Sequence, residues 1–148
     1  MRYLADFKVG DRLALPQLEV SLAEMVTFAQ SYDPQPIHID ASSAEALELG
    51  GVIASGWFTT ALFMKMSVLS YLSETAVLTS PGVDNLRWLS PVKPGSLLSG
   101  EETVTAVKQS QSKPDRGVVT CDVRLWDDSG KDVLTLTKHF FVRVAEAV

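Results

Sequence analysis

The chain has 148 residues, 46% of them hydrophobic and 21% charged, with 13 Lys and Arg against 18 Asp and Glu. The net charge of −5 excludes a general nucleic-acid binder, because phosphate backbones call for a basic face. The length fits one domain, the composition is too apolar for disorder, and a lone cysteine excludes both an internal disulfide and a multi-cysteine metal site.

The opening run MRYLADFKVGDRL carries scattered charges and no apolar targeting core. The longest apolar stretch starts at Trp57 and is broken by Lys65 and several Ser and Thr. It falls short of the ~20 residues a membrane span needs. A soluble, cytoplasmic protein that does not engage membranes is expected.

Val9-Gly10-Asp11 reads as a turn, and Arg12 to Val20 as a short strand ending near Pro16. Ser21-Leu22-Ala23-Glu24 has the form of a capping box. Leu22, Met25, Val26, Ala29 and Tyr32 follow at helical spacing, so residues 22–31 are expected to form an amphipathic helix. Pro34 ends it, since the residue before a proline is pushed out of the α region.

Two prolines in three residues make Asp33 to His38 a stiff, extended loop. Asp40 or Ser42 is expected to cap a short helix, Ser43 to Leu49, which Gly50-Gly51 stops. Ser55-Gly56 opens the longest helix, about residues 57–72. Trp57, Ala61, Met64, Val68 and Tyr71 form one apolar stripe on it. Phe58, Leu62, Met66 and Leu69 form another, so the helix reads as buried in the middle of the domain.

After Pro81-Gly82 the period changes to two, and strands are expected at 83–89, 97–108, 117–127 and 132–144. Asp127 to Gly130 reads as the hairpin turn between the last two. In the final strand Leu134, Leu136, Phe140, Val142 and Val144 share a face, with Lys138 the exception. Cys121 falls in an alternating apolar run and reads as a buried thiol. A strand, then helices, then antiparallel strands give an α+β layer in which a sheet packs on one long helix.

Of the two histidines, His139 reads as an ordinary strand residue. His38 lies five residues after Asp33 across the double-proline segment. A rigid segment fixes the separation of an acid and an imidazole, as acid–base work on a shared water demands. The same pair also reads as a turn-capping Asp and a buried, hydrogen-bonded His. Gly56, at the start of the long helix, has a free N–H with the positive end of the helix dipole behind it, which suits an oxyanion. It also reads as a packing glycine. Asp40 reads as a helix cap, and Gln35 as a residue that holds the loop or a water.

The run Phe28 to Asp40, Ile53-Ala54-Ser55-Gly56-Trp57 and Asn85 to Gly95 resemble the MaoC-like dehydratase family of (R)-specific enoyl-CoA hydratases. The resemblance continues to Arg116-Gly117. It implies a single hot-dog domain over 1–148, with an antiparallel sheet wrapped around a long central helix. Asp33, Pro36 and His38 match the family's hydratase pattern, Gln35 stands where Asn is usual, and Ser55-Gly56 replaces a His-Gly. The resemblance makes Asp33 and His38 the catalytic pair and Gly56 the oxyanion donor. Gln35 and Ser55 then position the loop or the water.

The implied reaction is hydration of a trans-2-enoyl-CoA to a (R)-3-hydroxyacyl-CoA, with no cofactor beyond the CoA of the substrate and no metal. Trp57, Arg87, Lys93 and Arg116 are the expected substrate contacts, the cations because CoA phosphates need a local basic cluster on an acidic chain. The sheet covers only part of the apolar helix, so a homodimer is expected. A hot-dog thioesterase and a non-catalytic acyl-CoA-binding or structural subunit of a heteromeric dehydratase are the competing readings.

Overall fold

In the computed structural model, which describes residues 1–146, the helices occupy the first half and the sheet most of the second. A 3-10 turn, Leu4–Asp6, precedes the edge strand β1 (Arg12–Glu19). Helices α1 (Leu22–Tyr32), α2 (Pro36–Ile39), α3 (Ala44–Glu48) and α4 (Gly56–Ser70) follow, and a 3-10 turn, Leu72–Glu74, ends the helical half. Strands β2 (Val77–Trp88), β3 (Leu97–Gln109), β4 (Arg116–Trp126) and β5 (Asp132–Arg143) complete one antiparallel sheet in the order β1-β3-β4-β5-β2. No helix of the described residues is long and apolar enough to cross a membrane.

Several boundaries depart from expectation, each for a physical reason. β1 does not end at Pro16 but passes it through a register shift between Leu15 and Leu18. β2 begins at Val77 and carries Pro81 through another, between Thr79 and Gly82. Both strands are edges, where a missing N–H breaks no ladder. Ser21 caps α1 by accepting from the Glu24 N–H. Leu22 and Tyr32 of the expected apolar stripe are exposed, and Met25 and Ala29 carry the burial. Residues 33–38 are not extended throughout: Pro36, preset for helical φ, starts the single turn α2. Ser43 caps α3, while Asp40 instead accepts from the N–H and hydroxyl of Ser42.

α4 is buried on one face only. Phe58, Leu62, Phe63 and Met66 enter the core, while Trp57, Ala61, Met64 and Val68 face outward. The inward rows of the strands hold Leu98 and Val104 on β3, Val119 to Leu125 in alternation on β4, and Leu134, Leu136, Phe140 and Val142 on β5.

These apolar side chains fall into two clusters, one toward α1 and the start of α4 and the other toward Leu4, Phe7 and Tyr71. Glu102 and Lys138 sit at the boundary, both fully enclosed, with Nζ 2.7 Å from the carboxylate. Ser67 and Tyr71 donate to the same carboxylate, and Nζ donates to the Tyr71 hydroxyl at 2.9 Å. Lys138, the one cation on its apolar row, is therefore a paired core residue. No buried side-chain N or O among the described residues lacks a partner.

Candidate active site

The end of α1, the turn α2 and the start of α4 converge on a cavity of about 530 Å³. Asp33 is the C-cap of α1, where the Asp33 N–H donates to the Ala29 carbonyl. Pro34 stops the helix there and leaves the carboxylate at the helix end. Its Oδ1 accepts from Gln35 Nε2 at 2.6 Å and its Oδ2 from the Ser55 hydroxyl at 2.7 Å. Hydrogen bonds from Gln35 and then Ser55, with the imidazole of His38 beside them, hold this carboxyl below the usual carboxylate range. Asp33 is therefore ionised at neutral pH.

His38 projects from α2 and is buried. Its Nδ1 is 2.8 Å from the Ile53 carbonyl and its Nε2 is 3.3 Å from Oδ2 of Asp33. A carbonyl only accepts, so Nδ1 carries a proton and Nε2 is the nitrogen turned toward Asp33. Oδ2 and Nε2 both belong to residues that line the cavity, so the carboxylate and the imidazole can act on one bound molecule there. The helical turn at Pro36, and not an extended loop, is what swings His38 back toward Asp33.

Ser55 occupies the N-cap position of α4, yet its hydroxyl makes no capping bond. Ser55, fully buried, instead donates its hydroxyl to the ionised Asp33 carboxylate, a charge-assisted hydrogen bond. The N–H of Gly56 has no hydrogen-bond partner among the described residues, and Gly56 lines the cavity. Trp57 lines it as well.

The expected cations are not gathered here. Arg87 lies opposite Thr135 on β5, one residue off the inward pair Trp88–Leu134, and so belongs to the outer face of the sheet. Arg116 is paired with Asp115 at 2.9 Å, at the opposite end of β4 from the cavity. Lys93 lines an adjoining cleft of about 460 Å³ that shares Pro91 with the cavity. That cleft also holds Lys131, Ser96, Glu48 and Asp127.

Sequence reading missed Lys131, Trp88 and the Ile53 carbonyl. The first two lie in the hairpin turn and on an edge strand, where no spacing rule marks a ligand, and a backbone oxygen has no sequence signature. His139, read as an ordinary strand residue, joins two strands: Nε2 is 2.8 Å from Asp84 and Nδ1 is 3.0 Å from the Thr120 hydroxyl.

The family model described as MaoC like domain matches residues 6–125. The crystal structure of the MaoC-like dehydratase from Rhodospirillum rubrum superposes with a TM-score of 0.89 at 36% identity, over 99% of this chain and 100% of that one. The unliganded (R)-hydratase from Pseudomonas aeruginosa shares the fold, with a TM-score of 0.71 at 24% identity over 99% of this chain and 92% of that one. Among curated sequences, the uncharacterized protein YdeM of Bacillus subtilis is 27% identical over 120 residues, 79% of this chain and 82% of its own.

Proposed function

The chain belongs to the MaoC-like domain family, and from that premise we propose that it hydrates a trans-2-enoyl thioester to the (R)-3-hydroxyacyl thioester, and catalyses the reverse dehydration. The observation that carries this reading is the 3.3 Å approach of Asp33 Oδ2 to His38 Nε2 in a cavity also lined by Gly56, whose N–H has no partner among the described residues.

In this reading the thioester carbonyl accepts from Gly56 N–H, backed by the dipole of α4. A water bound beside Asp33 and His38 attacks the β-carbon and gives up one proton to the pair. The C=C electrons move onto the carbonyl as an enolate, which takes a proton from the pair at the α-carbon. One water is consumed, and the pair ends as it began. The scheme draws on no cofactor beyond the CoA that belongs to the substrate, and on no metal.

Gln35 and Ser55 depart from the family's usual residues, yet both donate to Asp33. They keep the carboxylate ionised and fixed, which supports a working catalyst over a non-catalytic subunit. Of the expected phosphate contacts, Lys93 together with Lys131 is read as meeting the phosphate-bearing end of the thioester, across Pro91 from the reacting atoms. Trp57 is read as a wall of the acyl site.

The outward row Trp57, Ala61, Met64 and Val68 and the unpaired edge β2 support a homodimer, because apolar rows and bare edges mark association surfaces.

The test is hydration of crotonyl-CoA by the purified chain, followed by loss of the enoyl-thioester ultraviolet absorbance. Asp33→Asn is expected to lower kcat by about 10²–10⁴, the range of a lost general acid or base. Full turnover by that variant overturns the mechanism, and release of free thiol in place of hydration would assign a thioesterase.

A further inference from the structure

Trp88 ends β2, and its side chain leaves the edge strand for the first turn of α4. A Cβ at position 56 would fall against the indole ring, closer than atoms can approach. Gly56 has no left-handed φ, so its backbone conformation does not require glycine. What excludes a side chain at position 56 is therefore the indole.

The contact is directional. An indole N–H can only donate. It donates to Thr60 Oγ1 at 3.1 Å, and the Thr60 hydroxyl donates in turn to the Gly56 carbonyl at 2.9 Å. Trp57 meets the same ring edge-on, with centroids 5.0 Å apart. Trp88 also lines the cavity of Asp33 and His38. It is thus held at three points on the turn whose first N–H is free.

We infer that Trp88 is a positioning residue of this site: by clasping the first turn of α4 through Gly56 and Thr60 it presents the Gly56 N–H to the cavity. The inference rests on the reading of Gly56 as the oxyanion donor. A donor is worth more when its orientation is preset and its surroundings are dry. The clasp supplies the preset orientation, and it makes glycine obligatory at position 56.

The experiment is a double-mutant cycle on the full chain with Gly56→Ala, Trp88→Ala and the pair, plus Trp88→Phe. Crotonyl-CoA hydration and the near-ultraviolet circular dichroism of the Trp57–Trp88 pair are the readouts. Gly56→Ala is expected to lower kcat by about 10-fold or more, with KM changed less, and to weaken the tryptophan signal. Trp88→Ala is expected to lower kcat about as far, and Trp88→Phe, which keeps an aromatic ring there, less.

Adding Gly56→Ala to Trp88→Ala is expected to lower kcat by less than about 3-fold further, because contacting residues are not additive. Recovery of folding in the pair, where Gly56→Ala alone fails to fold, supports the clasp equally. Factors that simply multiply would overturn it. So would a tryptophan signal untouched by Gly56→Ala. If the wild-type chain hydrates no enoyl thioester, the functional reading falls, while the tryptophan signal still decides the contact.

Discussion

The Ser55 hydroxyl and the His38 imidazole meet the same oxygen of Asp33, at 2.7 and 3.3 Å. Ser55 therefore sets the direction of the lone pair left to face His38. A hydrogen bond to a charged group is worth about 1.5–3 kcal/mol, so Ser55→Ala is expected to lower kcat roughly 10-fold or more. Steady-state hydration kinetics with unchanged far-ultraviolet circular dichroism check it. A variant with full kcat would leave Ser55 no part in orienting the carboxylate.

The same donors fix how Asp33 titrates. Its carboxyl lies below the usual range in the folded chain, so its ionisation adds stability above the unfolded value of about 3.9. That stability is lost as the pH falls through the lower folded value. Removing the Gln35 or Ser55 donor raises the folded value toward the unfolded one. Carbon NMR of the Asp33 carboxyl is expected to show the midpoint moving to higher pH in Gln35→Ala and Ser55→Ala, and an unmoved midpoint would refute the assignment.

Cys121 gives a probe of the core. Burial first, and then the nearby Glu102 carboxylate, push its thiol up to about 12. The thiolate is the reactive species. A disulfide reagent at pH 8 is expected to leave Cys121 untouched in the native chain and to modify it once the chain is unfolded in guanidinium. Rapid native labelling would show that this end of the core opens.

The Glu102–Lys138 pair predicts an asymmetry. Removing one partner strands a buried charge, and breaking such pairs is destabilising by about 3–5 kcal/mol. Lys138→Met is expected to lose stability on that scale in urea denaturation. Replacing both, as Lys138→Met with Glu102→Leu, is expected to cost less than the single change. Additive losses would mean that packing, and not charge, is what the pair supplies.

The outward face of α4 predicts assembly. Sedimentation is expected to give a dimer for the wild-type chain. Ala61→Glu with Met64→Glu places two charges on the exposed row and is expected to give monomers with unchanged helix content. A wild-type monomer would remove the dimer from the reading.

Much of this was legible from residue order, and where it was not the reason is geometric. Period and punctuation located α1, α4 and the four later strands, because amphipathic faces and breakers leave local marks. Pairing across the chain leaves none. Ser55 sits where a cap belongs, but its proton goes to a carboxylate 22 residues away. Arg87 and Arg116 are cations like Lys93, and only strand register shows that they point elsewhere. Lys138 breaks an apolar pattern visibly, while nothing in the local sequence around Glu102 marks it as its partner 36 residues away. The Asp33–His38 spacing was readable because both residues lie in one short segment, although its turn at α2 was not.

The charged band formed by Glu102, Lys138, Ser67 and Tyr71 divides the interior into two compartments. A partition fixed by hydrogen bonds keeps its place when the packing on one side changes. Side chains near the Asp33–His38 cavity can therefore be recarved while the compartment around Phe7 and Phe140 stays as it is. The molecule has a workshop built against a foundation, and new substrate shapes are to be sought by altering only the workshop.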